Sequence, residues 1–143
     1  MSQEFKEGIY CLKNCATHTL LDLYDGRKEE GTPIQGFKPH GGDNQKWRIK
    51  FTGKGNQITI QNVKSKTYVG AASSNIQNSV KVVGSMTPLS FVMVQTDKGH
   101  TFEVAEHRMY VLDLKESNPA NETPVIFYNN NATDNQKWHL EKA

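Results

Sequence analysis

The feature that most constrains this chain is an internal repeat. The tetrapeptide Asn44-Gln45-Lys46-Trp47 recurs unchanged as Asn135-Gln136-Lys137-Trp138, 91 residues later. The match continues upstream without a gap, so that the sixteen residues from Thr32 to Trp47 align on those from Thr123 to Trp138. Asp22 lies ten residues before Thr32 and Asp113 ten before Thr123, inside the matching runs Leu20-Leu21-Asp22-Leu23 and Val111-Leu112-Asp113-Leu114. A spacing of 91 is about twice 45, so a diverged copy is expected in between. Pro88-Leu89-Ser90-Phe91 stands where it should end, with Phe91 in the tryptophan place and Gly70 in the place of Asp22. The 143 residues therefore read as a single domain, 1–143, of three repeats at about 8–51, 52–97 and 98–143. Such units cannot bury an apolar face alone and must share one core.

Within each repeat the pattern is that of short strands. Gln57-Ile58-Thr59-Ile60-Gln61-Asn62-Val63 and Thr101-Phe102-Glu103-Val104-Ala105 alternate polar and apolar, and Gly8 to Asn14 also reads as a strand. Apolar runs follow at Leu20–Leu23, Tyr68–Ala71 and Tyr110–Leu114, then at Ile34–Phe37, Val80–Val83 and Val125–Tyr128. A last strand in each repeat carries Trp47, Phe91 or Trp138. That predicts four strands per repeat, twelve in all, with Gly, Asn, Asp and Pro between them. No window sustains a helical period beyond two turns, so the fold class is all-β. Closing three units around a common axis removes exposed sheet edges. In that arrangement Trp47, Phe91 and Trp138 pack near one another in the core, and the amides of Gln45 and Gln136 bond turn backbone.

Composition narrows the function. The chain is 36% hydrophobic and 22% charged, which suits a folded domain rather than a disordered one. Its net charge is +2 and it has no run of five like charges, so no nucleic-acid partner is expected. No apolar run approaches the roughly 20 residues of a membrane span, so no membrane insertion is expected. The polar start Met1-Ser2-Gln3-Glu4-Phe5-Lys6-Glu7-Gly8 lacks the apolar centre of a secretion signal, which predicts a cytoplasmic protein or release by a nonclassical route. Cys11 and Cys15 form neither a disulfide framework nor a metal pattern, and the five histidines show no metal spacing. No metal or cofactor is expected. Nucleophile–base motifs, phosphate loops and dinucleotide fingerprints are absent, and Asp22 and Asp113 fall in different repeats rather than forming a catalytic pair. The expectation is a binding module without catalysis.

The recurring Gln-x-Trp at about 45-residue intervals, with Leu-Asp-Leu upstream, resembles the ricin B-chain-like lectins. The resemblance covers the chain from about Gly8 and is greatest to the cytoplasmic fungal agglutinins. It implies a β-trefoil in which each repeat has room for one sugar pocket. It assigns the pocket parts residue by residue. In the first repeat Asp22 accepts from two adjacent sugar hydroxyls, Phe37 is the aromatic platform and Asn44 bonds a hydroxyl, with Gln35 and His40 as neighbours. In the third repeat the same places hold Asp113, Tyr128 and Asn135, with Asn131 at the His40 position. In the second, Gly70 and Pro88 replace the Asp and the Asn, so that pocket should be silent.

The chemistry of these residue types is independent support. A pyranose presents a C–H face that packs on an aromatic ring. A carboxylate takes two hydroxyl donors through charge-assisted bonds, and an amide both donates and accepts. An axial 4-hydroxyl leaves that C–H face continuous, which favours galactose or N-acetylgalactosamine over glucose. Taken singly, each residue also has a plainer reading. Asp22, Asp113, Asn44 and Asn135 suit turns, Phe37 and Tyr128 suit a core, and Asn129 to Asn131 suit a solvated loop. The matched sets at one spacing favour binding.

Expected partners are therefore glycans with terminal galactose-type sugars on glycoproteins or glycolipids. Each site should bind a monosaccharide at about mM to tens of µM, and two sites add avidity. The resemblance further implies a homodimer, agglutination and a defence role. The alternative on the same scaffold is a protease inhibitor acting through surface loops, and a third is actin or other protein binding.

Overall fold

The structure, a computed structural model, describes residues 5–143. Its strands in chain order are β1 (Gly8–Asn14), β2 (Leu20–Leu23), β3 (Thr32–Phe37), β4 (Trp47–Phe51), β5 (Gln57–Asn62), β6 (Tyr68–Ala71), β7 (Val82–Ser85), β8 (Phe91–Gln95), β9 (His100–Val104), β10 (His107–Leu114), β11 (Thr123–Asn129) and β12 (Trp138–Lys142). The helical segments among the described residues are single 3-10 turns, at Tyr24–Gly26, Asp43–Gln45, Lys115–Ser117 and Asp134–Gln136.

Alternation decides which face goes inward. In β5, Ile58, Ile60 and Asn62 are buried while Gln57, Thr59 and Gln61 are only half-buried. Six such strands close on themselves. β1 pairs with β4, β4 with β5, β5 with β8, β8 with β9, β9 with β12, and β12 returns to β1, all antiparallel. The other six form the hairpins β2–β3, β6–β7 and β10–β11. These join in a triangle through Thr32↔Gly84, Thr123↔Gly36 and the bridge Lys81↔Ile126. A closed six-strand barrel capped by three linked hairpins is a β-trefoil.

Trp47, Phe91 and Trp138 each open the last strand of their repeat. All three are fully buried in one core with Leu12, Ile58, Ile60, Phe102 and Val104. The cap departs from threefold symmetry where the hairpins converge. Gly36 and Gly84 occupy equivalent register positions, opposite Leu21 and Val69. A Cβ on either would lie 2.8 Å from Leu114 Cδ1 or 2.9 Å from Leu23 Cδ1. The third position, opposite Leu112, holds Phe127, which is fully buried.

Two strands differ from the sequence expectation. β10 begins at His107 rather than Tyr110, because Ala105 and Glu106 form a tight turn and Val104 pairs directly with His107. The first two repeats instead use longer loops with positive φ at His18 (64°) and Lys66 (68°). β7 runs Val82–Ser85 rather than Val80–Val83, since its partners are Tyr68 to Ala71.

Candidate functional site

β2 and β3 build the first site. In this antiparallel pair Asp22 lies opposite Gln35 and Leu20 opposite Phe37, which puts all four on one face. The turn Asp43–Gln45 then packs against β2. Its Asn44 donates through Nδ2 to Leu23 O at 3.0 Å and to Asp22 Oδ1 at 3.3 Å. Gln45 donates through Nε2 to Asp22 Oδ2 (2.9 Å) and Lys38 O (2.8 Å), while its Oε1 accepts the His40 backbone N–H at 3.0 Å. One amide thus ties the carboxylate, the end of β3 and the loop into a single unit. Trp47 anchors the strand from below, its indole N–H donating to Leu21 O at 2.9 Å.

Asp22, Gln35, Phe37, His40 and Asn44 come together around one cleft of about 610 Å³. His40 packs edge-on against Phe37, with ring centroids 5.7 Å apart and planes at 71°. Its Nδ1 accepts the Gly42 N–H at 3.0 Å, so the neutral ring carries its proton on Nε2, which faces Asp22 Oδ2 at 3.5 Å. Tyr24, Lys64 and Glu122 complete the walls. Lys64 and Glu122 come from the other two repeats, which repeat-by-repeat sequence reasoning did not reach.

The third repeat reproduces this frame. Asn135 donates to Leu114 O (3.0 Å) and Asp113 Oδ1 (3.2 Å), and Gln136 donates to Asp113 Oδ2 (2.8 Å) and Asn129 O (2.9 Å). Gln136 Oε1 accepts the Asn131 N–H at 2.9 Å, and Trp138 donates to Leu112 O at 3.2 Å. Tyr128 lies opposite Val111, on the Asp113 face, and is 37% exposed. The side chain of Asn131 turns to Thr133, accepting its backbone N–H, and does not approach Asp113 as His40 approaches Asp22. Ile126 stands where the first repeat has Gln35. An ion network of Lys98–Asp134 (2.7 Å) and Lys137–Asp97 (2.7 Å) ties this turn to the β8–β9 loop.

Both carboxylates are buried. Burial raises Asp22 above the ordinary aspartate value, opposed by hydrogen bonds from Gln35 and Gln45 and by the nearby His40 ring. Burial likewise raises Asp113, opposed by Gln136. Both donors of Asn44 and of Asn135 go to protein acceptors; this leaves Asn44 its carbonyl oxygen, whereas that of Asn135 accepts the Thr133 hydroxyl.

The second repeat has none of this. Gly70 replaces the carboxylate, and a Cβ there would lie 2.7 Å from Ser85 Cβ. Ser85 stands at the register position of Phe37 and Tyr128.

Two residues that sequence reasoning missed brace the candidate sites of the first and third repeats. Asn14 donates to Asn135 O and Asn62 to Asn44 O, each at 3.0 Å. Both are fully buried, and each caps its own loop through Oδ1, to Ala16 N and to Lys64 N. The signal was present as Asn14-x-x-Thr17-x-Thr19 and Asn62-x-x-Ser65-x-Thr67. The strand facing the second repeat has Val104 there, and only the backbone contact Ala105 N–H to Ser90 O remains.

No group of His, Cys, Asp and Glu among the described residues is arranged to hold a metal ion. Cys11 and Cys15 are free, and burial raises both thiols.

A family profile described as ricin-type beta-trefoil lectin domain-like matches residues 2–85 and 43–128. Among solved structures, the Rhizoctonia solani agglutinin is 64% identical over 100% of both chains, with a TM-score of 0.97. A Macrolepiota procera ricin B-like lectin in complex with lactose is 23% identical over 99% of this chain and 100% of its own, with a TM-score of 0.86. A designed threefold-symmetric protein, ThreeFoil, is 20% identical over 95% of this chain and 99% of its own, with a TM-score of 0.89. A comparison with curated proteins finds no match. With its repeat, its trefoil and its paired Asp–Asn–Gln frames, the chain belongs to the ricin-type β-trefoil lectin family, a family of carbohydrate-binding domains.

Proposed function

We propose that this chain is a non-catalytic lectin for terminal galactose or N-acetylgalactosamine, with sites in the first and third repeats and none in the second. The observation that carries this is the duplicated frame. A buried carboxylate, held by a Gln and an Asn from the following turn, shares a sheet face with an exposed or half-exposed aromatic ring at Asp22 and Phe37 and at Asp113 and Tyr128. The carboxylate is the acceptor for two vicinal hydroxyls, and the ring packs on the C–H face of the sugar. Lactose in the Macrolepiota relative supports the galactose class. The two carboxylates are held in separate repeats by separate amides, which suits binding and not a two-carboxylate cleavage. We further propose a homodimeric, cytoplasmic agglutinin.

The test is a 15N NMR titration with galactose, N-acetylgalactosamine and glucose, on the wild type and on the Asp22→Ala/Asp113→Ala double variant. Galactose-type sugars are expected to shift amides around both carboxylates and to have no effect on the double variant. Equal responses to glucose overturn the sugar class. Binding that survives the double variant overturns the sites.

A further inference from the structure

Each candidate site is flanked by loops of other repeats, and there the two copies differ. Beside the first site, Asn62 Oδ1 accepts the Lys64 N–H at 3.1 Å while its amide holds the Asn44 carbonyl, which sets Lys64 against the site's turn. The Lys64 stem then lies across Gly26. A Cβ on Gly26 would sit 2.8 Å from Lys64 Cγ and 3.4 Å from Asn44 Cβ. On the β3 side, the Glu122 N–H donates to Gly36 O at 2.9 Å, between Gln35 and Phe37 in sequence. Both side chains are exposed and border the cleft of about 610 Å³. Among the described residues neither makes an ion pair, whereas the nearby Asp25 and Asp43 are paired with Arg27 and Lys46. The third site keeps the same backbone contacts and has neither group. Ala16 stands in the place of Lys64, its N–H donating to Asn14 Oδ1 at 3.0 Å. Ser79 stands in the place of Glu122, its N–H donating to Phe127 O at 2.9 Å. Ser117, 91 residues after Gly26 and also at positive φ (55°), stands where the glycine makes room for the lysine.

We infer that the first site takes an oligosaccharide and the third its terminal sugar alone, with Lys64 and Glu122 holding the second sugar of the glycan. A cleft of about 610 Å³ falls among the roughly 300–1,000 Å³ of sites that enclose drug-sized ligands, more room than one hexose ring needs. With the terminal ring between Asp22 and Phe37, the next unit extends outward to the rim, where these two charges stand. An ammonium donates to hydroxyl and ring oxygens, and a carboxylate accepts from hydroxyls or an acetamido N–H. One donor and one acceptor at the same rim suit a neutral sugar, whose hydroxyls do both. Lys64 belongs to the second repeat and Glu122 to the third, so it is closure of the trefoil that delivers them to the first site. This inference rests on the sugar-binding reading above.

The test compares methyl β-galactoside with lactose by 15N NMR, with the amides of Leu23 and Asn44 reporting the first site and those of Leu114 and Asn135 the third. At the first site lactose should bind about three- to tenfold more tightly than the galactoside, the worth of one net hydrogen bond. At the third site the two should bind alike. Lys64→Ala and Glu122→Ser install the third-site residues at exposed positions. Each should bring the lactose-to-galactoside ratio at the first site toward one and leave the third site's ratio unchanged. Equal binding of the two sugars at the first site of the wild type overturns this inference and leaves the sugar-binding reading standing. So do variants that weaken both sugars equally there, since Lys64 and Glu122 would then serve the terminal ring or the fold. No shift with either sugar at either site overturns the sugar-binding reading and this inference with it.

Discussion

Asp22 and Asp113 show how a proposed binding residue is set against the fold that holds it. Burial raises both carboxyls, so each binds its proton more tightly folded than unfolded. Their contribution to stability is therefore present at low pH and lost as pH rises through the raised folded value. Where they are ionised they are a cost to the fold, one that the proposed function explains by the need for carboxylate acceptors. Asp97 and Asp134 behave oppositely, because Lys137 and Lys98 lower them. Their stabilisation is present above the ordinary aspartate value and is lost as pH falls through the lowered one. Asp97 is exposed and Asp134 half-exposed, so their effect is screened and small. Acidification toward pH 4 is thus expected to weaken sugar binding before it weakens the fold. Affinity measured alongside urea unfolding between pH 3.5 and 7, ranges chosen around the ordinary aspartate value, checks this. Affinity that falls only in step with stability would refute a role for the raised carboxyls.

At the scale of elements, the sites depend on strands that belong to other repeats. β1 carries Asn14 to the turn of the third repeat, and β5 carries Asn62 to the turn of the first. Each of these amides satisfies a loop N–H on one side and a site carbonyl on the other, both inside the protein. Asn62→Ala leaves those groups unpaired and is expected to cost about 1–3 kcal/mol of stability per buried group lost. Because Asn44 sits on the released turn, the first site should also weaken while the third does not. Urea unfolding gives the stability change, and amide shifts at Asn44 and Asn135 on titration separate the sites. Equal weakening at both would mean a general loss of stability and no local brace.

For the whole molecule, pseudo-threefold closure places the two proposed sites on different hairpins of one rigid cap, so one chain can bridge two glycans. Avidity from such bridging adds about 10²–10⁴ where the geometry allows. Asp113→Ala is accordingly expected to raise the concentration needed to cross-link a galactosylated polymer by at least about tenfold. Its sedimentation should be unchanged from that of the wild type. Turbidity against protein concentration reads the effect, and an unchanged threshold would count against two cooperating sites.

Much of this was legible in the chain itself. The 91-residue repeat, the diverged copy ending at Phe91 and the alternation in β5 and β9 point to an all-β, three-part fold. They do so because periodicity is a local property, written wherever a strand has one wet and one dry face. The matched spacing of Asp22, Phe37 and Asn44 with Asp113, Tyr128 and Asn135 likewise marks residues that a repeated fold must place equivalently. What only the tertiary structure decided is who meets whom between repeats. That Asn62 holds Asn44, that Lys64 and Glu122 wall the first cleft, and that Phe127 stands in register with Gly36 and Gly84 depend on the order of strands around the barrel. The setting of each carboxylate is also beyond spacing. Gln35 and Ile126 hold the same place in the repeat, but only the register of the paired strands shows that Gln35 donates to the carboxylate opposite it and that Ile126 has no donor to offer there.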